Sequence, residues 1–313
     1  MVDVQKLLDP EIAQALAAMP ARGTISAETL PMLRDQRNLQ MAAIQLSDAV
    51  ERKDYLVRGP AGSPDVVVRV HWPKGATGAL PCIYSIHGGG YILGTYEMDD
   101  LRFDKWCVQL NCVGVSVEYR LAPETPYPGP LEDCYVGLKW TYENAAMLGV
   151  DPKRLGISGA SAGGGLAAGL ALLARDRGEV PLAFQNLIYP MIDDTVTSVS
   201  SQWEVPIWNP AANRYGWAAY LGPLAGTDKV PGYAAASRAT DLKGLPPALI
   251  IVGALDGFLS EDVEYAMRLT AAEVPTELHV YPGAPHGFDG IVPGTGVARR
   301  ARRDMEEWLV RVL

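Results

Sequence analysis

Short apolar runs alternate with helix-type patterns along the chain from residue 80 onward. The runs over residues 80–86 and 112–118 are largely apolar, as expected for strands that are buried on both faces. Further strands are predicted over residues 155–158, 184–189, 247–253 and 277–281. Apolar positions at helical spacing predict helices over residues 99–110, 131–148, 164–175 and 297–312. This alternation predicts an α/β fold in which helices flank a mostly parallel central sheet.

A helical pattern without strand alternation occupies the beginning of the chain. Apolar residues at helical spacing predict helices over residues 4–19 and 30–46, and Pro20 and Gly23 interrupt the pattern between them. No catalytic motif falls in this region. It is therefore interpreted either as a terminal helical arm or as a lid over a pocket.

The strand pattern begins after this helical segment. Residues 54–59 and 65–72 alternate as the two strands of a hairpin. The predicted organisation is an N-terminal helical segment over residues 1–50, followed by one α/β domain over residues 51–313. Residues 190–246 form a long insertion within that domain.

The insertion lies between two predicted strands and is rich in aromatic residues. It contains Trp203, Trp208 and Trp217, together with several prolines. Insertions that follow the carboxyl end of a strand provide lids and pocket walls in α/β enzymes. We expect the same of residues 190–246.

The composition narrows the function classes. The chain of 313 residues is 48% apolar and 20% charged, which is ordinary for a globular protein. Its formal net charge of −9 argues against a nucleic-acid partner and against anionic membrane surfaces. No apolar run reaches the roughly 20 residues that a membrane-spanning helix needs, and the first residues lack the layout of a signal peptide. We therefore expect a cytoplasmic protein.

Four cysteines are present, at Cys82, Cys107, Cys112 and Cys134. They show no C-x-x-C pair and no histidine at metal-binding spacing. Buried structural thiols are predicted. We expect neither a metal nor another cofactor.

A short turn over residues 159–163 is the leading candidate for chemistry. It reads Gly-Ala-Ser-Ala-Gly, with a predicted strand before it and a predicted helix after it. This is the G-x-S-x-G pattern in its required context, in which Ser161 stands clear of the backbone as a nucleophile. Small neighbours fit the strained backbone that such a turn demands. The alternative is a glycine-rich turn used for packing or for binding a phosphate.

A nucleophilic serine needs a base, and the chain has four histidines. His71 and His279 fall in predicted strands, the first at the end of an edge-like strand, and are interpreted as structural. His87 precedes a glycine run. His286 lies in the loop that leaves the last predicted strand at its carboxyl end, where the catalytic histidine of an open α/β sheet is expected. His286 is the predicted base.

The acid that orients this base is expected after the next-to-last strand. Asp256 follows that strand directly and is the first choice. Glu261 and Asp262 are alternatives, although acids at the start of a helix also interact favourably with its dipole. The order Ser161, Asp256, His286 is the order of the triad in α/β-hydrolases.

The oxyanion donors are expected in a glycine loop, His87-Gly88-Gly89-Gly90-Tyr91, which follows the strand over residues 80–86. Glycines let backbone N–H groups face a substrate without a blocking side chain. The N–H groups of Gly88 and Gly89, with that of Ala162 after the nucleophile, form the predicted oxyanion hole. A phosphate-binding loop is the alternative, but the lysine of a Walker motif is absent.

Together these motifs resemble one family, the hormone-sensitive-lipase-like carboxylesterases of the α/β-hydrolase superfamily. The resemblance covers about residues 50–313 and rests on the glycine loop, the serine turn and three further motifs: Tyr119-Arg120-Leu121-Ala122-Pro123-Glu124, Pro128 to Asp133, and Pro285-His286-Gly287-Phe288. It implies the α/β-hydrolase fold and the roles assigned above to the triad and to the oxyanion donors. It also implies that His87 anchors the glycine loop, and that the motif beginning at Tyr119, with Asp133, is a structural turn behind the site.

The resemblance implies a cap over the acyl pocket, formed by residues 1–50 and the insertion at 190–246. It further implies a homodimer through the edge strand near residues 277–281. Three aromatic residues are candidates for the pocket wall, although core packing is an equal alternative for each: Tyr91, Trp208 and Tyr215.

Two positions depart from the family pattern. The residue before the serine is commonly Asp or Thr, and in this chain it is Ala160. The loop after the acid commonly reads like Asp-Pro-Leu-Arg-Asp-Glu, whereas this chain has Gly257 and Phe258 after Asp256. Neither departure removes a triad member, but both remove polar or rigid groups near the triad.

The sequence thus predicts a serine carboxylesterase that hydrolyses short- to medium-chain acyl esters through an acyl-enzyme on Ser161. A lactonase or an amide hydrolase with the same triad is the alternative. A more remote alternative is a non-catalytic small-molecule receptor on the same fold, but such receptors lack a competent histidine.

Overall fold

Eight strands form one sheet in the computed structural model, which describes residues 3–19 and 23–313. The strands are β1 Val50–Val57, β2 Val66–Pro73, β3 Leu80–Ile86, β4 Val113–Glu118, β5 Val150–Ala160, β6 Gln185–Ile188, β7 Ala248–Gly253 and β8 Thr276–Tyr281. Their order across the sheet is β1-β2-β4-β3-β5-β6-β7-β8. β2 is antiparallel to β1 and β4, and the other neighbouring pairs are parallel. The α/β fold with a mostly parallel sheet is confirmed.

Helices flank this sheet, as the alternating pattern predicts. In chain order they are α1 Val4–Leu7, α2 Pro10–Ala17, α3 Leu30–Ala42, α4 Asp100–Gln109, α5 Gly129–Glu143, α6 Ala145–Leu148, α7 Ala162–Arg177, α8 Pro210–Leu221, α9 Leu259–Ala271, α10 Phe288–Ile291 and α11 Gly296–Val312. The interruption expected at Pro20 lies outside the described residues.

Buried side chains alternate between the two faces of the sheet. In β3, Tyr84 packs with α5 and α7 on one face, and its neighbour Ile83 packs with α4 and α11 on the other. Successive residues of a strand point to opposite faces, so two hydrophobic clusters enclose the sheet. This double burial explains why the parallel strands read as continuous apolar runs.

The register across the sheet brings the ends of the parallel strands together. Ile86 at the end of β3 pairs with Gly159 of β5, and Ala160 pairs with Ile188 at the end of β6. Parallel strands share one direction, so the loops after β3, β5, β6, β7 and β8 leave the sheet at the same edge. The glycine loop and the serine turn are therefore adjacent, although they are far apart in sequence.

Two strands begin earlier than the apolar pattern predicts. β5 starts at Val150, five residues before the predicted boundary, because its first part carries polar side chains such as Lys153. β1 starts at Val50 rather than at residue 54 and carries the exposed charged residues Glu51 and Lys53. Charged residues are typical of an edge strand, where they oppose pairing with other chains.

Some helix boundaries also differ from the prediction. The helix predicted over residues 30–46 ends at Ala42, and the one predicted over residues 131–148 is divided at Asn144. The single turn α10, which follows His286, was not predicted. A four-residue helix contains too few residues to show a hydrophobic period.

His71 was predicted to lie at the end of an edge-like strand, and this position is wrong. β2 is an interior strand between β1 and β4, and His71 is fully buried within it. Its Nε2 lies 2.7 Å from Oδ1 of Asp100. β1 is the edge strand on this side of the sheet. Its first half is polar, so the apolar pattern did not predict its full length. The structural interpretation of His71 agrees with this contact.

Two further predictions concern a membrane-spanning helix and the four cysteines. No helix in the part of the chain that the structure describes is long and apolar enough to cross a membrane. All four cysteine side chains are buried, as predicted.

β8 is the second edge of the sheet, and a homodimer through this strand stays a prediction.

Arg120 and Asp133 form the main polar contact behind the glycine loop. The carboxylate of Asp133 is fully buried and accepts hydrogen bonds from the backbone N–H and from the guanidinium of Arg120, at 2.7–3.0 Å. Tyr119, the preceding residue, donates from its hydroxyl to the carbonyl of His87 at 3.0 Å. The turn that begins at Tyr119 is therefore tied to α5 on one side and to the glycine loop on the other.

We expect Asp133→Ala to lower the free energy of unfolding by about 2–3 kcal/mol. The substitution leaves the Arg120 guanidinium without its buried partner, and partial exposure of Arg120 moderates the loss. Urea unfolding followed by circular dichroism measures it. Glu307→Ala, which removes an exposed ion pair on α11, is the control and should change little. Equal effects of the two substitutions would contradict this account.

Candidate active site

Ser161 sits between β5 and α7 with a strained backbone. Its φ of 59° and ψ of −123° lie outside the ordinary regions for a residue with a side chain. A Cβ on Gly159 would lie 2.1 Å from the carbonyl oxygen of Gly163, and one on Gly163 would lie 2.0 Å from the carbonyl oxygen of Ile86. Side chains cannot be accommodated at either glycine, which explains the small residues of the serine turn.

Backbone hydrogen bonds hold this turn in place. The N–H of Ser161 donates to the carbonyl of Ile188 at the end of β6 at 2.9 Å. The carbonyl of Ser161 accepts from the N–H groups of Gly165 and Met191, both at 3.0 Å. Such bonds offset the cost of a strained conformation, which is on the order of 1–3 kcal/mol.

The structure brings the three predicted triad residues together. Nε2 of His286 lies 2.8 Å from Oγ of Ser161, and Nδ1 of His286 lies 2.8 Å from Oδ2 of Asp256. The three residues are buried, with exposed fractions of 8% for Ser161, 5% for His286 and 1% for Asp256. A carboxylate only accepts hydrogen bonds, so Nδ1 donates to Asp256 and Nε2 is left to accept the serine proton. This arrangement activates a serine for nucleophilic attack.

Further contacts orient Asp256 and His286. Oδ1 of Asp256 accepts from the N–H of Phe258 at 3.0 Å, which leaves Oδ2 for His286. The rings of Tyr189 and Phe258 meet the imidazole edge-on, with centroids 4.8 Å and 4.9 Å away. These two aromatic residues were missed in the sequence analysis. Nothing local in the sequence marks Tyr189, which follows β6 and reaches His286 only through the fold.

The two alternative acids occupy other environments. Oε1 of Glu261 accepts from the N–H groups of Ile192 and Asp193, at 2.9 Å and 3.1 Å. Both carboxyl oxygens of Asp262 are buried without a hydrogen-bond partner among the described residues. Burial raises the pKa of both carboxyl groups well above the usual range, with nearby acids adding to the shift. The structure places Asp256, and neither alternative, against His286.

The glycine loop passes close to Ser161. A Cβ on Gly88 would lie 2.6 Å from the carbonyl oxygen of Ala160 and 3.3 Å from Cβ of Ser161. Gly89 has a φ of 128°, and a Cβ there would lie 2.0 Å from the carbonyl oxygen of Leu93. Only glycine fits at both positions, so the backbone at Gly88 and Gly89 reaches the serine without a side chain between them.

His87 lies beneath this loop. Its Nδ1 is 2.9 Å from the carbonyl oxygen of Gly88, and its ring stacks on Tyr119 at a centroid distance of 4.2 Å. Burial lowers the pKa of His87 to about 4. The ring is therefore neutral at neutral pH. These contacts fit the expected anchoring of the glycine loop by the His87 ring.

The three pocket candidates occupy different positions. Tyr91 is fully buried, donates to the carbonyl of Met191 at 2.7 Å and stacks on Tyr220, which favours core packing for this residue. Trp208 lies against the glycine loop, where its ring would clash with any side chain on Gly90. Tyr215 is partly buried and packs against the main hydrophobic cluster.

Comparison with known proteins places this arrangement among related chains. Residues 83–290 match a family model described as an alpha/beta hydrolase fold. The chain is similar to carboxylesterase NlhH of Mycobacterium tuberculosis, with 36% identity over 90% of this chain and 88% of that protein. It is also 32% identical to esterase LipI of the same organism, over 93% and 92% of the two chains.

A solved structure shows the same similarity over nearly the whole fold. A bacterial heroin esterase superposes with a TM-score of 0.92 and 38% sequence identity, covering 98% of each chain. The similarity thus includes the helices before β1 as well as the insertion between β6 and β7.

We expect His286→Ala to slow the labelling of Ser161 by a fluorophosphonate by roughly 10²–10⁴-fold, because the serine then loses the base that takes its proton. Intact-mass spectrometry over time gives the rate. His279→Ala is the matched control, since His279 lies on the edge strand β8 and bonds Glu277. Unchanged labelling of the His286 variant would contradict the assignment of the base.

Proposed function

This chain belongs to the α/β-hydrolase family, in its hormone-sensitive-lipase-like group, and is a carboxylic ester hydrolase; from this premise we propose that it hydrolyses short- to medium-chain acyl esters through an acyl-enzyme on Ser161. The observation that carries the proposal is the continuous hydrogen-bonded series from Ser161 through His286 to Asp256. The remaining contacts of the site support individual steps of this reaction.

The first half of the reaction forms the acyl-enzyme. Nε2 of His286 takes the proton from Oγ of Ser161 as this oxygen attacks the ester carbonyl carbon. Asp256 stabilises the imidazolium that forms, because its carboxylate accepts from Nδ1. When the tetrahedral intermediate collapses, His286 gives the proton to the leaving alcohol and the acyl group stays on Ser161.

Backbone N–H groups stabilise the negative charge that develops on the carbonyl oxygen. The glycine loop supplies Gly88 and Gly89, which pass beside Ser161. Ala162 is the first residue of α7, and the positive end of a helix dipole favours an anion there. Each such donor contributes on the order of 10²–10³ in rate.

The second half of the reaction releases the acid. A water molecule gives a proton to Nε2 of His286 while its oxygen attacks the acyl carbon. The second tetrahedral intermediate then expels Oγ of Ser161, which recovers the proton from His286. Ester and water are thereby converted to acid and alcohol, and the enzyme returns to its starting state.

The cap is part of this proposal. The start of α2 contacts the chain on both sides of His286. The N–H of Asp9, the N-cap of α2, donates to the carbonyl of Gly283, and the carboxylate of Glu11 accepts from the N–H of Gly296. The insertion places Trp208 against Gly90 of the glycine loop. The described part of the N-terminal segment and the insertion thus contact loops beside the triad, and we expect them to enclose the acyl chain.

The two alternative functions predicted from the sequence have different outcomes. The receptor alternative is overturned, since the related proteins are named as esterases and the chain is an ester hydrolase. Lactones and amides share the chemistry of Ser161, and no contact in the described residues favours them over open-chain esters. Relative rates on a lactone, an anilide and a matched ester compare the three substrate classes directly.

We expect Ser161→Ala to abolish the turnover of 4-nitrophenyl acetate and to leave the fold unchanged. The variant lacks the oxygen that forms the acyl-enzyme. Release of nitrophenolate measures turnover, and circular dichroism checks the fold. Ser158→Ala is the control, because Ser158 lies on β5, the strand that leads to Ser161, and its hydroxyl accepts a hydrogen bond from the side chain of Asn186. Turnover by Ser161→Ala at the wild-type rate would exclude the proposed nucleophile.

We expect Trp208→Ala to raise the ratio of kcat/KM for octanoate over acetate nitrophenyl esters by about tenfold. The indole stands against the glycine loop, and removing it leaves space for a longer acyl chain; one or two methylene groups in a pocket are worth about 1–3 kcal/mol. Trp203→Ala is the matched control within the insertion. If the ratio stays at its wild-type value, Trp208 does not limit the acyl chain.

A further inference from the structure

Arg34 on α3 connects the N-terminal segment to the polypeptide around the glycine loop. Its Nε donates to the carbonyl of Ile92 at 2.9 Å, and its Nη2 donates to the carbonyl of Ala122 at 2.8 Å. The guanidinium also forms a two-pronged ion pair with Glu124, at 2.8 Å and 2.9 Å. One side chain therefore spans two segments that are distant in sequence.

Both carbonyls belong to backbone that is itself joined to the glycine loop. The N–H groups of Ile92 and Leu93 donate to the carbonyl of Gly89, at 3.1 Å and 2.9 Å. The N–H of Ala122 donates to the carbonyl of Tyr91 at 2.9 Å. Ile92 is thus one hydrogen bond from Gly89, and Ala122 is one hydrogen bond from Tyr91, the last residue of the glycine loop.

Few apolar side chains of α3 take part in this attachment. Leu30 is its one buried side chain, and Leu33 packs at the periphery of the main cluster. The remaining apolar side chains include Met32 and Leu39, which are largely exposed. Arg34 provides a direct hydrogen-bonded connection from this helix to the segments beside the glycine loop.

The insertion packs against the same loop. A Cβ on Gly90 would lie 2.1 Å from the ring of Trp208, and one on Gly216 of α8 would lie 2.8 Å from the carbonyl oxygen of Gly90. The loop is therefore packed tightly against the insertion and is also joined to α3 by the Arg34 hydrogen bonds. Removing Arg34 leaves the packing against the insertion in place.

We propose that Arg34 is a positioning residue for the oxyanion hole. Through its bonds to Ile92 and Ala122, Arg34 holds the N–H groups of Gly88 and Gly89 in line with Ser161. The inference rests on the proposed function, because it concerns the donors assigned there. The oxyanion forms in the transition state and not in the bound ester. Loss of Arg34 therefore lowers kcat and leaves KM nearly unchanged.

The planar guanidinium is essential to this role. Its fork presents Nε and Nη2 to two carbonyls at once, which a lysine ammonium on a flexible stem does not reproduce. The pair with Glu124 is secondary, because the carboxylate side chain is 63% exposed and exposed pairs contribute little. The proposal thus separates the carbonyl contacts of Arg34 from its ion pair.

Four variants test this: Arg34→Ala, Arg34→Lys, Glu124→Ala and Gln36→Ala, the last an exposed residue on the same helix. kcat and KM on 4-nitrophenyl acetate are measured per active site, with sites counted by fluorophosphonate labelling, so that loss of folded protein does not enter. Hydrogen–deuterium exchange of the peptide covering residues 87–93 reports on the loop independently of activity. Ethylguanidinium is then added to Arg34→Ala to replace the missing group.

We expect Arg34→Ala to lose at least tenfold in kcat with KM changed by less than threefold, since a displacement of about 1 Å costs up to 10²-fold. Arg34→Lys should remain close to Arg34→Ala. Glu124→Ala and Gln36→Ala should stay within threefold of wild type. Hydrogen–deuterium exchange over residues 87–93 should rise in Arg34→Ala. Ethylguanidinium should restore part of the kcat of Arg34→Ala and should leave the kcat of the wild type unchanged.

Two results would overturn the proposal. One is a kcat per labelled site in Arg34→Ala within twofold of wild type, which would give Arg34 a purely structural role. The other is unchanged exchange over residues 87–93. If the wild-type protein itself fails to turn over the ester, the proposed function fails, and the exchange measurement still decides whether Arg34 anchors the loop.

Discussion

The absence of space for side chains around Ser161 is the constraint on which the site depends. The ends of β3 and β5 approach so closely that a Cβ on Gly88, Gly159 or Gly163 would overlap backbone atoms. This approach permits the positive φ of Ser161, which turns its hydroxyl away from the strand and towards His286. The same approach brings the backbone of the glycine loop beside Ser161, so the positions of the proposed nucleophile and of the proposed oxyanion donors have one structural cause.

The architecture and the residues of the candidate triad follow from the sequence because both depend on local patterns and chain order. Runs of apolar residues mark strands that are buried on both faces, and the loops after parallel strands meet at one edge. Ser161, Asp256 and His286 each follow one of the parallel strands. Their mutual distances then result from the sheet, which places the ends of β5, β7 and β8 within reach of one another.

Features that depend on long-range packing could not be predicted in this way. Tyr91 appears in the sequence as part of the glycine loop, but the fold turns its side chain into the core against Tyr220. Tyr189 contacts His286 across nearly a hundred residues, and Arg34 reaches Ile92 from a helix without any motif. Strand ends with exposed polar residues, such as the start of β5, lack the hydrophobic signal altogether.

Ala160, the departure from the family pattern beside the nucleophile, acquires a packing explanation. Its side chain is half-buried against the cluster that contains Tyr189 and Phe288. A polar side chain at this position would need a hydrogen-bond partner inside that cluster, whereas a methyl group needs none. Asp256 is then the carboxylate that bonds His286, while burial raises the pKa of Glu261 and Asp262 and favours their neutral forms. Among the described residues, Asp256 is thus the carboxylate that orients His286, and the rings of Tyr189 and Phe258 pack against the imidazole.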